Sequence, residues 1–298
     1  MTNRLEVLKT YKLHIDGKFP RSESGRSLPV HAADGRLLAH VCRASRKDLR
    51  EAVEAARKAQ PGWQQSTAYL RGQILYRIAE MIEGKRDELA ALIDSVAAPR
   101  RGKAKAAKKA PRGRDEVTAT IDRLVCFAGW SDKVAQVLGC NNPVAGPHYN
   151  FTVPEPSGVV AVIPPDEAPL LGLVSLMAPP LCAGNTLVAL SSDRNPLPAA
   201  VMAEACATGD VPPGVINILT GQREELLPCI ADHRDIDAVH AAGLTAPWAQ
   251  RLRAGTAENL KRVTVLGPTD WFDAQVMHSP WRIEPFVEMK TIWHPASA

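Results

Sequence analysis

An α/β fold wound on a parallel β-sheet is the class this sequence predicts, and two observations carry the prediction. Three short apolar runs, residues 158–163, 186–190 and 215–219, are rich in Val, Ile and Leu without alternation, as strands buried on both faces are. The segments between them read as helices. Residues 169–183 are almost wholly apolar and stop at Gly184-Asn185, and residues 197–208 stop at Gly209; a glycine just past the last helical residue is a C-terminal signal. Strand, helix, strand, helix, strand in that order requires parallel pairing and right-handed crossovers, half of a doubly wound nucleotide-binding sheet.

The remaining elements follow in chain order. Residues 11–15, 28–33 and 37–42 read as a small β-meander punctuated by Asp16-Gly17 and Asp34-Gly35, both turn signals. Ser45 caps a helix over residues 46–59, with Asp48 as its first-turn carboxylate. Trp63 follows, and a second helix over 68–97 carries Leu70, Ile74, Leu75, Ile78, Ile82, Leu89 and Ile93 at the spacing of a buried stripe. A helix resumes over 116–138, and residues 149–153 form a short strand before the core unit. Beyond Gly221 come helix 224–231, strand 236–241, helix 247–254 and strand 262–266, which complete a five-stranded parallel sheet flanked by helices.

Composition bounds the function. A chain of 298 residues with 45% hydrophobic content can bury a sizeable core. The six cysteines form no CxxC pair and no disulfide-like spacing; Cys182 and Cys206, in apolar helical surroundings, read as buried free thiols, and nothing supports a metal. The N-terminus lacks a signal-peptide core and no run reaches the ~18 apolar residues of a membrane span, so the expectation is a cytoplasmic protein with no membrane partner.

The net charge of +4 comes largely from one stretch. From Pro99 to Arg114 the sequence is PRRGKAKAAKKAPRGR, eight Lys or Arg among sixteen residues with no acid. It reads as a solvated connection, or as an electrostatic contact to an acidic partner. No aromatic residue interleaves the charges, so base stacking is unsupported and nucleic acid is not the expected partner.

The wording of the core unit resembles the cofactor domain of the NAD(P)-dependent aldehyde dehydrogenase superfamily. The motifs are Glu155-Pro156-Ser157-Gly158-Val159-Val160, Ala183-Gly184-Asn185-Thr186 and Val211-Pro212-Pro213-Gly214-Val215-Ile216-Asn217, in the family's order. Ile15-Asp16-Gly17-Lys18-Phe19, Ile121-Asp122-Arg123-Leu124 with Phe127-Ala128-Gly129-Trp130, and Leu260-Lys261-Arg262-Val263-Thr264 extend the likeness. Pro285-Phe286-Val287-Glu288-Met289-Lys290-Thr291-Ile292-Trp293 resembles the family's last strand, which with the arm at 149–153 mediates subunit contact. The implied organisation is a cofactor-binding domain over residues 1–268, then a short linker and C-terminal oligomerisation strand over 269–298. The family's catalytic domain, which belongs between them, has no counterpart.

The resemblance also implies which groups are lost. Family members attack an aldehyde with a cysteine thiolate, pass hydride to the nicotinamide and hydrolyse the thioester. No cysteine here follows a Glu-Leu-Gly-Gly segment, whose place reads Val265-Leu266-Gly267-Pro268 without the general-base glutamate. Glu167 stands where the oxyanion-stabilising asparagine belongs, and a carboxylate there repels the charge it should stabilise. The ribose-binding lysine aligns with Leu190. The glycine-rich turn after Thr220-Gly221 becomes Gln222-Arg223-Glu224-Glu225, and the Phe-Thr-Gly-Ser-Thr turn reads Ala241-Ala242-Gly243-Leu244-Thr245. What survives of a cofactor site is vestigial: Ile163, Pro165, Asp193, Gly221 and Gly243. Asp166 and Glu167 read as exposed loop acids, His233 as a structural residue at a helix end, and His14, His148 and His278 as isolated.

The expected protein is therefore a pseudoenzyme of that superfamily with no catalytic residues and no cofactor. It assembles with itself or with a full-length aldehyde dehydrogenase as scaffold, stabiliser or regulator. The alternative is a vestigial nucleotide-binding module that senses NAD.

Overall fold

The fold is given by a computed structural model describing residues 7–96 and 113–296. It opens with three short strands, β1 (Thr10–Tyr11), β2 (Ser27–His31) and β3 (Leu37–Cys42). The expected meander does not form, because β3 lies in the middle, antiparallel to β2 but parallel to β1. The cause is a detour between β1 and β2. His14 leaves the small sheet and bridges Ile218, its N–H donating to Ile218 O at 2.9 Å and its O accepting from Ile218 N at 2.8 Å. Asp16 and Gly17, at φ 54° and 69°, then turn the chain back.

Helix α1 (Arg46–Gln65) starts where the sequence places it. Asp48 N donates to Ser45 Oγ at 3.3 Å and Ser45 N to Asp48 Oδ2 at 2.7 Å, a reciprocal capping box. It continues through Pro61 and takes in Trp63, whose buried indole donates to Leu181 O at 3.2 Å. The single helix expected over 68–97 is two, α2 (Ala68–Gly84) and α3 (Arg86–Val96), broken at Lys85 just after the weak helix former Gly84. One expected helix over 116–138 is likewise α4 (Gly113–Trp130) and α5 (Val134–Leu138). Apart from Gly113 and Arg114, the basic stretch lies outside the described residues.

Strand β4 (Cys140–Asn142), not foreseen, and β5 (His148–Pro156), longer than expected, precede the core unit. That unit runs β6 (Val159–Ile163), α6 (Leu171–Ala183), β7 (Thr186–Leu190), α7 (Leu197–Thr208) and β8 (Ile216–Leu219). It continues through α8 (Arg223–Asp232), β9 (Ala238–Ala242), α9 (Ala246–Ala254) and β10 (Arg262–Leu266). The five strands form one all-parallel sheet in the order β10-β9-β6-β7-β8. Alternate strand residues feed two apolar clusters: Val160, Val162 and Leu187 face α2, α4, α6 and α7, while Val159, Ala161 and Val188 face α1 and α8. Every residue of β6 to β9 is buried, which is why those runs lack alternation.

Two local devices hold the centre. Pro180 inside α6 has no N–H for the carbonyl of Leu176, and His240 on β9 supplies the missing donor, Nδ1 to Leu176 O at 2.9 Å. Gly158 opens β6 at φ 130°, where an added Cβ would sit 2.0 Å from Asp237 Oδ2. That carboxylate accepts from Val159 N at 2.7 Å and from Arg57 Nη2 at 2.6 Å. Gly158→Ala is expected to cost about 3 kcal/mol or more, from strain and a displaced ion pair; a urea denaturation midpoint close to that of the parent chain would refute this account.

The expected linker after β10 is a packed element. Residues 267–286 form α10 (Ala274–Met277) and two 3₁₀ turns, and they bury Trp271, Met277, Ile283 and Phe286 against the helices of one face. The chain ends in β11 (Val287–Pro295), antiparallel to β5 from Val287 opposite Pro156 to Pro295 opposite His148, with β4 on the other side of β5. The C-terminal strand and the arm strand therefore pair with each other.

Candidate functional site

In a doubly wound sheet ligands gather at the carboxyl ends of the strands, above the point where strand order reverses. Here that point lies between β6 and β9, and the sequence-selected residues all come to this edge. Ile163 ends β6 and is fully buried, and Pro165 follows it; Asp193 lies after β7, Gly221 after β8 and Gly243 after β9. The structure thus brings all five together.

It also fills the space between them. Gly243, at φ 66°, is pressed so close to the preceding loop that a Cβ would lie 3.1 Å from Pro165 Cα. The two loops approach closely at the reversal point, with Gly243 itself still exposed. On the other side stands an ion pair that the sequence reading missed. Arg223, the first residue of α8, is 7% exposed, and its Nη2 and Nη1 lie 2.8 and 3.4 Å from Asp166 Oδ1 and Oδ2. Asp166 Oδ1 also accepts from Ser192 Oγ at 2.6 Å, Asp193 N at 3.0 Å and Arg194 N at 3.4 Å. Asp166, a loop acid with its side chain 40% exposed, is thus not free as expected but organises this edge. Glu167 is exposed and accepts from Trp271 Nε1 at 3.3 Å.

The N-terminus of α8 is the natural place for a phosphate, but it is already occupied by carboxylates. Arg223 N donates to Asp193 Oδ1 at 3.1 Å, so Asp193 caps the helix. Glu224 and Glu225 fill its first turn, and Arg43 hydrogen-bonds Glu225 and holds its carboxyl below the usual range. A groove of about 350 Å³ remains beside this turn, lined by Leu28, Val41, Ser192, Asp193, Gly221 and Glu224 among others. The residues present do not fit a dinucleotide: the pyrophosphate would meet acids, and the glycine that would let it approach is Arg223.

No nucleophile is poised at the edge among the described residues. Cys42 comes near, its carbonyl accepting from Thr220 Oγ1 at 2.6 Å, but it is 4% exposed. Cys182 and Cys206 are fully buried free thiols, as expected, and burial pushes Cys206 up to about 12 and Cys182 higher still. The described residues contain no His, Cys, Asp or Glu group able to hold a metal, and no helix long and apolar enough to cross a membrane.

The other isolated histidines are structural. His233 at the end of α8 accepts from Asp235 N at 3.2 Å, and its carbonyl receives the Lys261 ammonium at 2.9 Å. His278 lends its carbonyl to Trp130 Nε1 at 2.9 Å, and His148 stacks edge-on against Trp293. Nothing in the sequence pairs Asp166, in the loop after β6, with Arg223 at the start of α8; only the fold brings them together.

A parallel doubly wound sheet with helices on both faces, its ligand edge reduced to an internal ion network, defines a dinucleotide-fold protein with a remodelled cofactor edge. Comparison with known proteins names the family. The model of the aldehyde dehydrogenase family matches residues 20–268, and the chain belongs to that family. It is 35% identical over 258 residues to aldehyde dehydrogenase, cytosolic 1 of Elephantulus edwardii, covering 85% of this chain and 49% of that protein. It is 32% identical over 272 residues to the putative aldehyde dehydrogenase DhaS of Bacillus subtilis, covering 89% and 52%. The solved NAD+ complex of the Bacillus cereus aldehyde dehydrogenase superposes with a TM-score of 0.78 at 30% identity, covering 87% of this chain and 51% of that one. The chain spans about half the length of the curated relatives it matches.

Proposed function

We propose that this chain is a non-catalytic aldehyde dehydrogenase-like subunit, a scaffold, stabiliser or regulator that assembles with itself or with a full-length aldehyde dehydrogenase in the cytoplasm. One observation carries the reading. At the edge where this family resemblance implies cofactor, Arg223, Asp166 and Asp193 bind one another, and Gly243 closes on Pro165. A guanidinium already paired with Asp166 and nearly excluded from water is not free to cradle a phosphate, and Asp193 already takes the backbone N–H of Arg223. The relatives are named as enzymes, and the reading rests on residues that differ: Glu167, Leu190 and Gly267-Pro268 in place of the implied asparagine, lysine and glutamate.

The assembly half of the proposal is supported by β11. Its inner edge pairs with β5, and among the described residues no strand covers its outer edge, where Met289 and Trp293 are 46% and 60% exposed. An open strand edge with apolar side chains recruits another strand. The basic stretch 99–114 would add an electrostatic contact to an acidic partner within the same assembly.

Light scattering coupled to size exclusion, on the pure chain and on its mixture with an aldehyde dehydrogenase from the same cells, tests this. An oligomer, or co-elution in fixed proportion, is expected, and calorimetric titration with NAD, NADH, NADP or ATP should show no saturable heat. A monomer that co-elutes with nothing would overturn the assembly reading. Saturable heat would instead establish the alternative, a nucleotide-binding module.

A further inference from the structure

We propose that a small acidic pocket beside the sheet's C-terminal edge binds a linear organic cation carrying two or more ammonium groups. The pocket, of about 260 Å³, lies between the end of α3, the start of α4 and the loops after β6 and β7. Asp94, Glu116, Asp166 and Glu167 line it, against a single arginine, Arg194. Asp166 is matched by Arg223. Among the described residues no lysine or arginine forms an ion pair with Asp94, Glu116 or Glu167.

Each of these three carboxylates has one oxygen engaged. Asp94 Oδ1 accepts from Gly113 N at 2.9 Å, and Glu167 Oε1 from Trp271 Nε1 at 3.3 Å. Glu116 Oε1 accepts from Leu170 N and Leu171 N at 2.9 and 3.1 Å, and so caps α6 from α4. The second oxygen of each has no hydrogen-bond partner among the described residues. Burial raises the Glu116 carboxyl above its usual range, and the neighbouring Asp94 charge adds to this in the same direction.

A second, independent feature calls for a donor. Asn195 on the same wall is 3% exposed; its Nδ2 donates to Leu92 O at 3.2 Å, while its Oδ1 has no partner. A buried acceptor is costly to leave unpaired, and a ligand N–H is what this wall lacks.

The class of cation follows from the lining. No group of three metal-ligating side chains exists among the described residues, so the carboxylates surround the space without converging on a point. Ile93, Val96 and Pro169 lie among them. Apolar walls interrupted by carboxylates match a methylene chain with ammonium groups along it, each offering several charge-assisted donors. The proposal holds whether or not the chain assembles as above and whether or not nucleotide binds.

Calorimetric titration of the full chain with spermidine at low ionic strength is expected to show saturable binding. The double variant Asp94→Asn with Glu167→Gln keeps the acceptor oxygens that serve Gly113 and Trp271, both sites are exposed, and binding should weaken about tenfold or more. Magnesium chloride at matched ionic strength should give no comparable heat. No saturable heat with spermidine, equal affinity in the double variant, or equal response to magnesium would each overturn the proposal.

Discussion

Phe286→Ala is expected to lower the unfolding free energy by about 3–5 kcal/mol, the range for emptying a fully packed aromatic site. Phe286 is 1% exposed and its ring lies 4.6 Å from that of His240. Its carbonyl accepts from Asn185 Nδ2 at 3.0 Å and Ser157 N at 3.1 Å. The residue thus ties the connection after β10 to the start of the central strands. The same connection is pinned by Arg123, fully buried on α4, whose Nη2 donates to Trp271 O at 2.9 Å and whose Nη1 reaches Ser175 Oγ. Trp281, on the same connection but 59% exposed, is the control: Trp281→Ala should stay within about 0.5 kcal/mol. Urea denaturation followed by circular dichroism measures both. Equal small losses would mean that residues 267–286 only lie on the fold and do not help to close it.

Acidification is expected to remove on the order of 3 kcal/mol through each of two buried histidines by pH 4. Burial holds His14 down to about 4 and His240 down to about 3, from an ordinary value of 6.5. Both remain neutral in the fold while the unfolded chain takes up a proton below about 6.5. Between that pH and 4 the unfolded state binds more protons, so stability falls as pH falls; above 6.5 neither histidine contributes. The raised carboxyl of Glu116 works in the opposite sense, because the folded state keeps its proton to higher pH than the unfolded one.

His14→Leu separates these effects. His14 is 2% exposed, its ring nitrogens make no well-formed hydrogen bond beyond a weak interaction with the Ile216 backbone, and the ring packs 5.1 Å from Phe19. Replacement by an apolar side chain costs only that weak Ile216 interaction, so the variant should be about as stable as the parent at neutral pH. It should gain over the parent as pH drops from 6.5 toward 4, the interval set by the His14 shift. His240→Leu would not behave this way, because it orphans the Leu176 carbonyl. Denaturation midpoints of parent and His14→Leu that stay parallel across this interval would refute the assignment.

What the sequence by itself determined was the sheet and its crossovers. Strands β7 and β10 and helix α7 fall where the apolar runs and stop signals place them, and β6, β8, α6 and α8 differ by a residue or two. Such elements are legible because burial on both faces writes a contiguous apolar run, and capping writes its end within a few residues. The five residues of the candidate edge came instead from the family resemblance, and the structure places each at the end of a strand or in the loop just beyond one.

Tertiary structure decided the rest, wherever a partner lay far along the chain. The place of β3 between β1 and β2 depends on His14 reaching Ile218. Burial of residues 267–286 rests on scattered single side chains, Trp271, Met277, Ile283 and Phe286, without the period of any regular element. The role of His240, which carries no signal in the sequence, exists only because α6 presents a carbonyl that Pro180 cannot serve. Asp166, read as an exposed loop acid, and Arg223, read as part of a lost glycine-rich turn, lie 57 residues apart. Folding sets their charges against each other at one sheet edge, where the nearly buried Arg223 guanidinium reaches Asp166.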